Sequence, residues 1–128
     1  KLTGNISVLG IENGVFKDGF SIINVEFNGN NRAFDFIIKF RNRTVISSCN
    51  FINFNHCLHI EQSNIISIDR SLFRYSNYGL YAPKSAVGES YSNEILVVDS
   101  SFNDNYNTCC FAYGGGAGTK HTFRNCTF

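Results

Sequence analysis

Tryptophan and methionine are absent from this sequence, proline occurs once, and charged residues make up only 16% of its 128 residues. The formal net charge is +1 and no block of like charges is present, so a basic surface for nucleic acid or an anionic membrane is not predicted. No run of about 18 apolar residues occurs either, which argues against a membrane-spanning helix. We therefore expect neither nucleic-acid binding nor membrane insertion.

The sequence also lacks the features that begin a newly made chain. It opens at Lys1 without methionine, and without the charged and then apolar segments of a leader peptide. A length of 128 residues is ordinary for one domain. We expect residues 1–128 to be a single segment of a longer protein.

Helical periodicity is weak because glycine, asparagine, serine and β-branched residues occur in every window. Instead, a six-residue phrase recurs, and its terminal phenylalanines are separated by 24, 22, 29 and 26 residues. An apolar residue stands five positions before each phenylalanine and a compact one two positions before it, so both columns are expected to face inward. The phenylalanines are Phe27, Phe51, Phe73, Phe102 and Phe128.

A second phrase follows each of the first four phenylalanines and alternates apolar and exposed positions, as a β-strand does. Examples are Cys57-Leu58-His59-Ile60 and Gly79-Leu80-Tyr81-Ala82. A meander of hairpins would also alternate, but it would not repeat one residue class at one offset. If equivalent residues stack from coil to coil, with neighbouring strands about 4.8 Å apart, that register is explained. The repeat predicts an all-β, single-stranded parallel β-helix of about five coils, each of 22–29 residues with at least two strands.

The five cysteines are not arranged as a disulfide framework. In the proposed register Cys49 and Cys126 lie three coils apart, and Cys57 and Cys109 two coils apart. These separations, about 14 and 10 Å, exceed the limit of about 7 Å between the Cα atoms of a disulfide. We predict buried free thiols. No CxxC or HxxxH spacing occurs, so neither a metal nor a cofactor is expected.

Outward columns of the second strand carry the residue types that bind sugars. One predicted column runs Asp35, His59, Tyr81 and Phe111, and a second, two residues further, runs Ile37, Glu61, Pro83 and Tyr113. Aromatic rings stack on sugar faces, while carboxylates and imidazoles bond hydroxyl groups. These columns are candidates for carbohydrate binding, although such residues also decorate a strand face or pack against a loop or neighbouring subunit.

Candidates for catalysis lie on the outer side of the strand that the six-residue phrase predicts. Asp69 and Asp99 occupy neighbouring coils, with their positions in the repeat offset by one residue, and Arg70 adjoins Asp69. Glu61 is a third acidic candidate. A glycosidase needs two carboxylates about 5 to 9.5 Å apart, which adjacent coils could provide. The alternative is that Asp69 and Arg70 form surface ion pairs of little energetic weight.

Three short phrases are alike: Ser48-Cys49-Asn50-Phe51, Ser100-Ser101-Phe102 and Asn125-Cys126-Thr127-Phe128. With the small-Leu-x-Ile type strands, they resemble the right-handed parallel β-helix of pectate-lyase-like proteins, and the likeness covers about residues 20–128. In that family, bacteriophage tailspikes and tail fibres are homotrimers that bind, and often cleave, host-surface polysaccharide. Secreted polysaccharide lyases and hydrolases are monomers.

The resemblance implies polysaccharide as the partner, and the unpaired cysteines and missing leader favour the phage branch. We therefore expect a homotrimeric domain of a virion tail that binds host glycan, with Arg70 among its binding residues. Lyases of the family carry calcium-binding aspartates and a basic residue on the first parallel sheet, which only Asp69, Asp99 and Arg70 approximate. A secreted polysaccharide lyase or glycoside hydrolase, and a non-catalytic spacer, are the alternatives.

Overall fold

The computed structural model describes residues 2–4, 6–9, 11–12, 15–39, 41–83, 94–112 and 120–128, and this part of the chain contains strands and no helix. Most strands are short, of two to seven residues, and turns rich in asparagine and serine separate them. The strands are β1 (Leu2–Thr3), β2 (Ile6–Leu9), β3 (Ile11–Glu12), β4 (Val15–Ile23), β5 (Glu26–Asn28), β6 (Asp35–Lys39), β7 (Arg41–Ser47), β8 (Asn50–Ile52), β9 (His56–Glu61), β10 (Asn64–Asp69), β11 (Leu72–Arg74), β12 (Tyr78–Ala82), β13 (Glu94–Val98), β14 (Ser101–Asn103), β15 (Thr108–Ala112) and β16 (Lys120–Arg124).

The strands form three sheets, and consecutive strands enter different sheets except β3 and β4, which share one. Sheet A has the order β1-β5-β8-β11-β14, sheet B the order β15-β12-β9-β6-β2, and sheet C the order β16-β13-β10-β7-β4-β3. All neighbours are parallel except β3 and β4, which are antiparallel. From β4 onward the chain visits sheets C, A and B in turn, and one such circuit is called a coil below. This topology is consistent with the predicted parallel β-solenoid, with three strands in a coil.

A ladder of phenylalanines fills the core beneath sheet A. Phe27, Phe51, Phe73 and Phe102 are paired in register, and each is at most 3% exposed. Their rings stack with centroids 4.8 to 5.0 Å apart. Phe128 continues the stack on Phe102 at 5.3 Å and is 61% exposed. Each buried ring contributes about 1.5–3 kcal/mol through removal of apolar surface from water.

The compact column before the phenylalanines completes the hydrogen bonding of the corner between sheets C and A. The hydroxyl of Ser71 accepts a bond from the backbone N–H of Cys49 (3.2 Å), and Ser100 does the same for Ser71 (3.1 Å). Both hydroxyls also donate to a carbonyl two residues earlier in their own coil. Small polar residues recur because each hydroxyl links two coils while buried, where an unpaired backbone N–H would be costly.

The same corner is made tight by a column of left-handed residues. Their φ angles lie between 45° and 57°. Non-glycine residues enter this region at a cost of about 1–2 kcal/mol, and asparagine tolerates it best. The column directs its side chains away from the core, so polar and charged residues occupy it. Its members are Asn24, Ser48, Arg70, Asp99 and Asn125.

Candidate functional site

The outer face of sheet B is shaped by an irregularity between β6 and β9. Asp35 pairs with His56 and Ile37 with His59, so two residues of β9, Cys57 and Leu58, oppose the single residue Phe36 of β6. Cys57 and Leu58 therefore both enter the core and are fully buried. The predicted column that placed Asp35 beside His59 is wrong, because strict alternation does not accommodate two consecutive inward residues.

The observed columns bring together a different set of outward residues. One contains Asp35, His56, Tyr78 and Thr108, the next Ile37, His59, Tyr81 and Phe111, and the third Lys39 and Glu61. Sequence reasoning missed His56 and Tyr78, and it placed Ile37 rather than Lys39 beside Glu61. Tyr113, the remaining candidate of this face, lies outside the described residues.

Five rings form a continuous cluster on this face, which we call the aromatic face: His56, His59, Tyr78, Tyr81 and Phe111. Tyr81 is its centre, because its ring centroid lies 4.7 to 5.5 Å from those of the other four. The ring of His56 stacks on that of Tyr78 at 4.7 Å and 15°. Phe111 is 44% exposed at one side of the cluster. The aromatic face therefore spans β9, β12 and β15, with Phe111 exposed and the other four rings partly buried.

A carboxylate borders the aromatic face on the first column. Oδ1 of Asp35 lies 2.9 Å from Nδ1 of His56 and also accepts the backbone N–H of His56 at 2.9 Å. Nδ1 of His56 also lies 3.0 Å from Nδ2 of Asn55, so whether Nδ1 donates or accepts depends on the tautomer of the ring. The double contact fixes the orientation of the His56 ring against Tyr78.

A second carboxylate borders the third column. Glu61 binds Nζ of Lys39 at 2.6 Å, and its Oε1 lies 3.0 Å from Nε2 of His59. The latter contact lacks the alignment of a hydrogen bond, and Nε2 is buried. Burial lowers the pKa of His59 below its ordinary value of 6.5, against the attraction of Glu61, which raises it. His59 is therefore a neutral imidazole at pH 7, able to donate to or accept from a hydroxyl group.

The lowered pKa of His59 predicts an acid-sensitive fold. Below about pH 6.5 the unfolded chain binds a proton at this position more readily than the folded chain, so stability falls with decreasing pH. Replacing His59 with Gln removes the titrating group, and the melting temperature of H59Q should fall less than that of the wild type between about pH 7.5 and about pH 5.5. Thermal unfolding followed by circular dichroism measures both values. Equal losses in the two proteins would show that His59 does not carry the effect.

Asp69, Asp99 and Arg70 lie at the corner between sheets C and A, not on the aromatic face. Asp69 pairs with Val98, so Asp99 lies level with Arg70, one step out of register as the sequence indicates. Oδ2 of Asp69 accepts from Ser47 (3.2 Å) and binds Arg70 (2.7 Å).

The third catalytic candidate is not brought to this corner. Glu61 ends β9 and Asp69 ends β10, so the length of β10, about 16 Å, lies between them. Two carboxylates that act on one glycosidic bond are at most about 9.5 Å apart. The structure thus brings Asp69 and Asp99 together on neighbouring coils and leaves Glu61 with the aromatic face.

The cysteines are free, as predicted, but the predicted burial holds only for Cys49 and Cys57; Cys109, Cys110 and Cys126 are partly buried. Burial raises the pKa of Cys57 to about 12, and burial with the nearby Cys109 and Cys126 raises that of Cys110 to about 12. Such thiols are protonated at neutral pH and are poor nucleophiles and metal ligands. Within the described ranges, no three His, Cys, Asp or Glu side chains are grouped as a metal site would require. No helix able to span a membrane occurs among the same residues.

The aromatic face can contact apolar sugar faces through its rings and sugar hydroxyls through His59, Asp35 and Glu61. Comparison with known proteins finds no match to a family model, a curated protein or a solved structure. The functional inference therefore depends on the residues of this face.

Proposed function

We propose that the chain is a right-handed parallel β-helix of about five coils that binds polysaccharide on the aromatic face. The observation that carries the proposal is the packing of Tyr81 against four other rings on an outward sheet surface. Rings on a solvated face are available for stacking, and Asp35 and Glu61 supply acceptors at its borders. Right-handed connections between parallel strands of one sheet are favoured in about 98% of cases, which supports the handedness.

We propose further that the parent protein is a bacteriophage tailspike or tail fibre, and that the chain acts as a homotrimer in the virion tail. Free cysteines suit a protein that folds in a reducing cytoplasm before release. An extended sheet surface suits a long, repetitive ligand. Light scattering of the purified chain tests this: a trimeric mass supports the tail protein, whereas a monomer favours a secreted polysaccharide lyase or glycoside hydrolase.

Cleavage of the polysaccharide is the second candidate, and the placement of Asp69 and Asp99 on neighbouring coils favours it. Glu61 is the catalytic candidate on the aromatic face, where the nearest aligned carboxylate, Asp35, is about 13 Å away along β6. Release of reducing ends from host glycan distinguishes the candidates. No release by the wild type supports binding alone, and unchanged release by E61A and D99A excludes Glu61 and Asp99 as catalytic residues.

Replacing Tyr81 with Ala should weaken glycan binding by tenfold or more, because the central ring of the aromatic face is lost; about 1.4 kcal/mol corresponds to this factor. Binding of labelled protein to an array of bacterial surface glycans measures the effect. F111A should weaken binding less, since Phe111 contacts the cluster from one side.

The matched control for this experiment is Y106A. Tyr106 is 64% exposed and lies outside the aromatic face, against the guanidinium of Arg32 at 4.2 Å. Its loss should leave glycan binding unchanged. A wild type that binds no glycan would support the spacer function, and Y81A that binds like the wild type would place the ligand on another surface.

A further inference from the structure

A polar groove opens on the outer side of sheet C, where β7 and β10 begin. Its volume is about 360 Å³. This lies at the lower end of the range for small-molecule sites. The groove does not share a residue with the aromatic face. Its lining consists of Asp18, Asn42, Arg43, Asn64 and Ile65.

The groove is built by a break in the regular pairing of three neighbouring strands. Asp18, Asn42 and Asn64 are in register. The residue that follows each of them, Gly19, Arg43 or Ile65, has a positive φ of 69°, 46° or 52°. This places the polar column beside a left-handed column on the sheet surface.

Ile65 is an unusual occupant of that column. A β-branched residue in the left-handed region is a true outlier, because its branched Cβ crowds the backbone. Glycine or asparagine would adopt the conformation more easily, and Ile65 is 49% exposed, so burial in the core does not explain it. Strained residues of this kind concentrate at functional sites.

The charges of the groove cancel. Nε of Arg43 donates to Oδ1 of Asp18 at 2.7 Å, and a second guanidinium nitrogen contacts the other carboxylate oxygen. Asn42 and Asn64 are uncharged. A charged ligand would therefore have to compete with an existing ion pair, whereas a neutral one would not.

The amide group of Asn42 leaves hydrogen-bonding capacity for a ligand. Nδ2 of Asn64 donates to Oδ1 of Asn42 at 2.9 Å. The Nδ2 group of Asn42 makes no hydrogen bond within the described part of the chain. Arg43 is 66% exposed, so guanidinium N–H groups are also accessible. A ligand would meet amide and guanidinium donors, the acceptors of Asp18, and the aliphatic surface of Ile65.

We propose that this groove binds a neutral sugar residue, independently of the aromatic face. Donors and acceptors set a few ångströms apart match neighbouring hydroxyl groups, and the Ile65 side chain matches the apolar face of a pyranose ring. The ion pair of Asp18 and Arg43 disfavours sugar acids. None of the described lining residues is aromatic, which disfavours nucleobases because these are bound by stacking.

The experiment titrates the 15N-labelled 128-residue chain with glucose, galactose, mannose or N-acetylglucosamine up to about 50 mM, a range suited to millimolar affinity. At least one sugar should shift the side-chain amide signals of Asn42 and Asn64. N42A should weaken that binding at least tenfold. N77A is the control, because it breaks the same kind of amide pair (Asn77 to Asn55, 2.9 Å) outside the groove and should bind as the wild type does.

A second variant separates binding from folding. In I65G, glycine adopts the positive φ without steric cost, so the melting temperature should be no lower than that of the wild type. The variant also removes the aliphatic side chain from the groove, so it should bind the sugar several-fold more weakly. Y81A should still bind the sugar in the groove, because Tyr81 lies on the aromatic face. Failure of the aromatic-face proposal would therefore be distinguishable from failure of the groove proposal. The proposal is overturned if no sugar shifts the Asn42 amide, if N42A binds like the wild type, or if glucuronate binds more tightly than glucose.

Discussion

Replacing Phe51 with alanine is expected to lower the free energy of unfolding by about 3–5 kcal/mol. Its ring is fully buried, stacks on Phe27 at 4.9 Å and on Phe73 at 5.0 Å, and meets Phe36 edge to face at 5.2 Å. Truncation leaves a cavity bounded by neighbours on both sides, and strand pairing holds those neighbours in place. The coils therefore cannot move together to fill it. Urea unfolding at equilibrium measures the loss.

The matched control is F128A, at the last position of the same ladder. Phe128 stacks on Phe102, meets Phe123 edge to face at 6.0 Å and is 61% exposed, so its loss should cost well under half as much as that of Phe51. Comparable losses for F51A and F128A would contradict a core that is continuous from coil to coil. A broad transition in F51A alone would indicate that the coils on either side unfold separately, as in other repeat proteins.

The phenylalanine ladder could be predicted because its information lies in the sequence spacing. Parallel stacking requires equivalent residues at equivalent positions, and the interval between Phe51 and Phe73 contains no insertion that would hide the repeat. Loop insertions change the interval but not the residues that face inward. The all-β character and the parallel pairing follow from that repeat.

The arrangement of the aromatic face could not be predicted in the same way. Strand alternation correctly places His59 and Tyr81 outward. It assigns neighbouring residues to opposite faces, however, so it cannot predict that the consecutive residues Cys57 and Leu58 are both buried. The sequence does hold a signal, because a compact residue followed by leucine recurs one coil later at Gly79 and Leu80. Taking both as inward would have aligned His56 with Asp35.

The corner candidates show a second limit of sequence reasoning. Asp69 and Asp99 differ by one register step, which the sequence indicates correctly. Their backbone conformations also differ, because Asp69 ends a strand while Asp99 has a φ of 49° in the left-handed column. Side-chain direction depends on that difference, and spacing alone does not reveal it. Whether Asp69 and Asp99 take part in catalysis remains a prediction.

Replacing Gly29 with alanine is expected to lower the free energy of unfolding by about 3 kcal/mol, through overpacking against atoms that cannot move. A Cβ atom at Gly29 would lie 2.5 Å from Cα of Phe54 and 2.7 Å from its Cγ, and closer still to the carbonyl oxygen of Asn53. Phe54 is fully buried, and the N–H of Gly29 donates to Ile52 at 2.9 Å. The corner that leads into β6 must therefore shift as a whole. Thermal unfolding and soluble yield measure the effect.

The control is G19A, which tests glycine removal where space is available. A Cβ atom at Gly19 would meet nothing within 4 Å, although a φ of 69° there is unfavourable for alanine. Its cost should be about 1 kcal/mol, from conformation alone. A larger loss in G29A than in G19A would identify close approach between coils as the cause. Equal losses would mean that the two coils are not in contact at Gly29. Because β6 carries Asp35, displacement of this corner should also weaken glycan binding, whereas G19A should leave that binding intact.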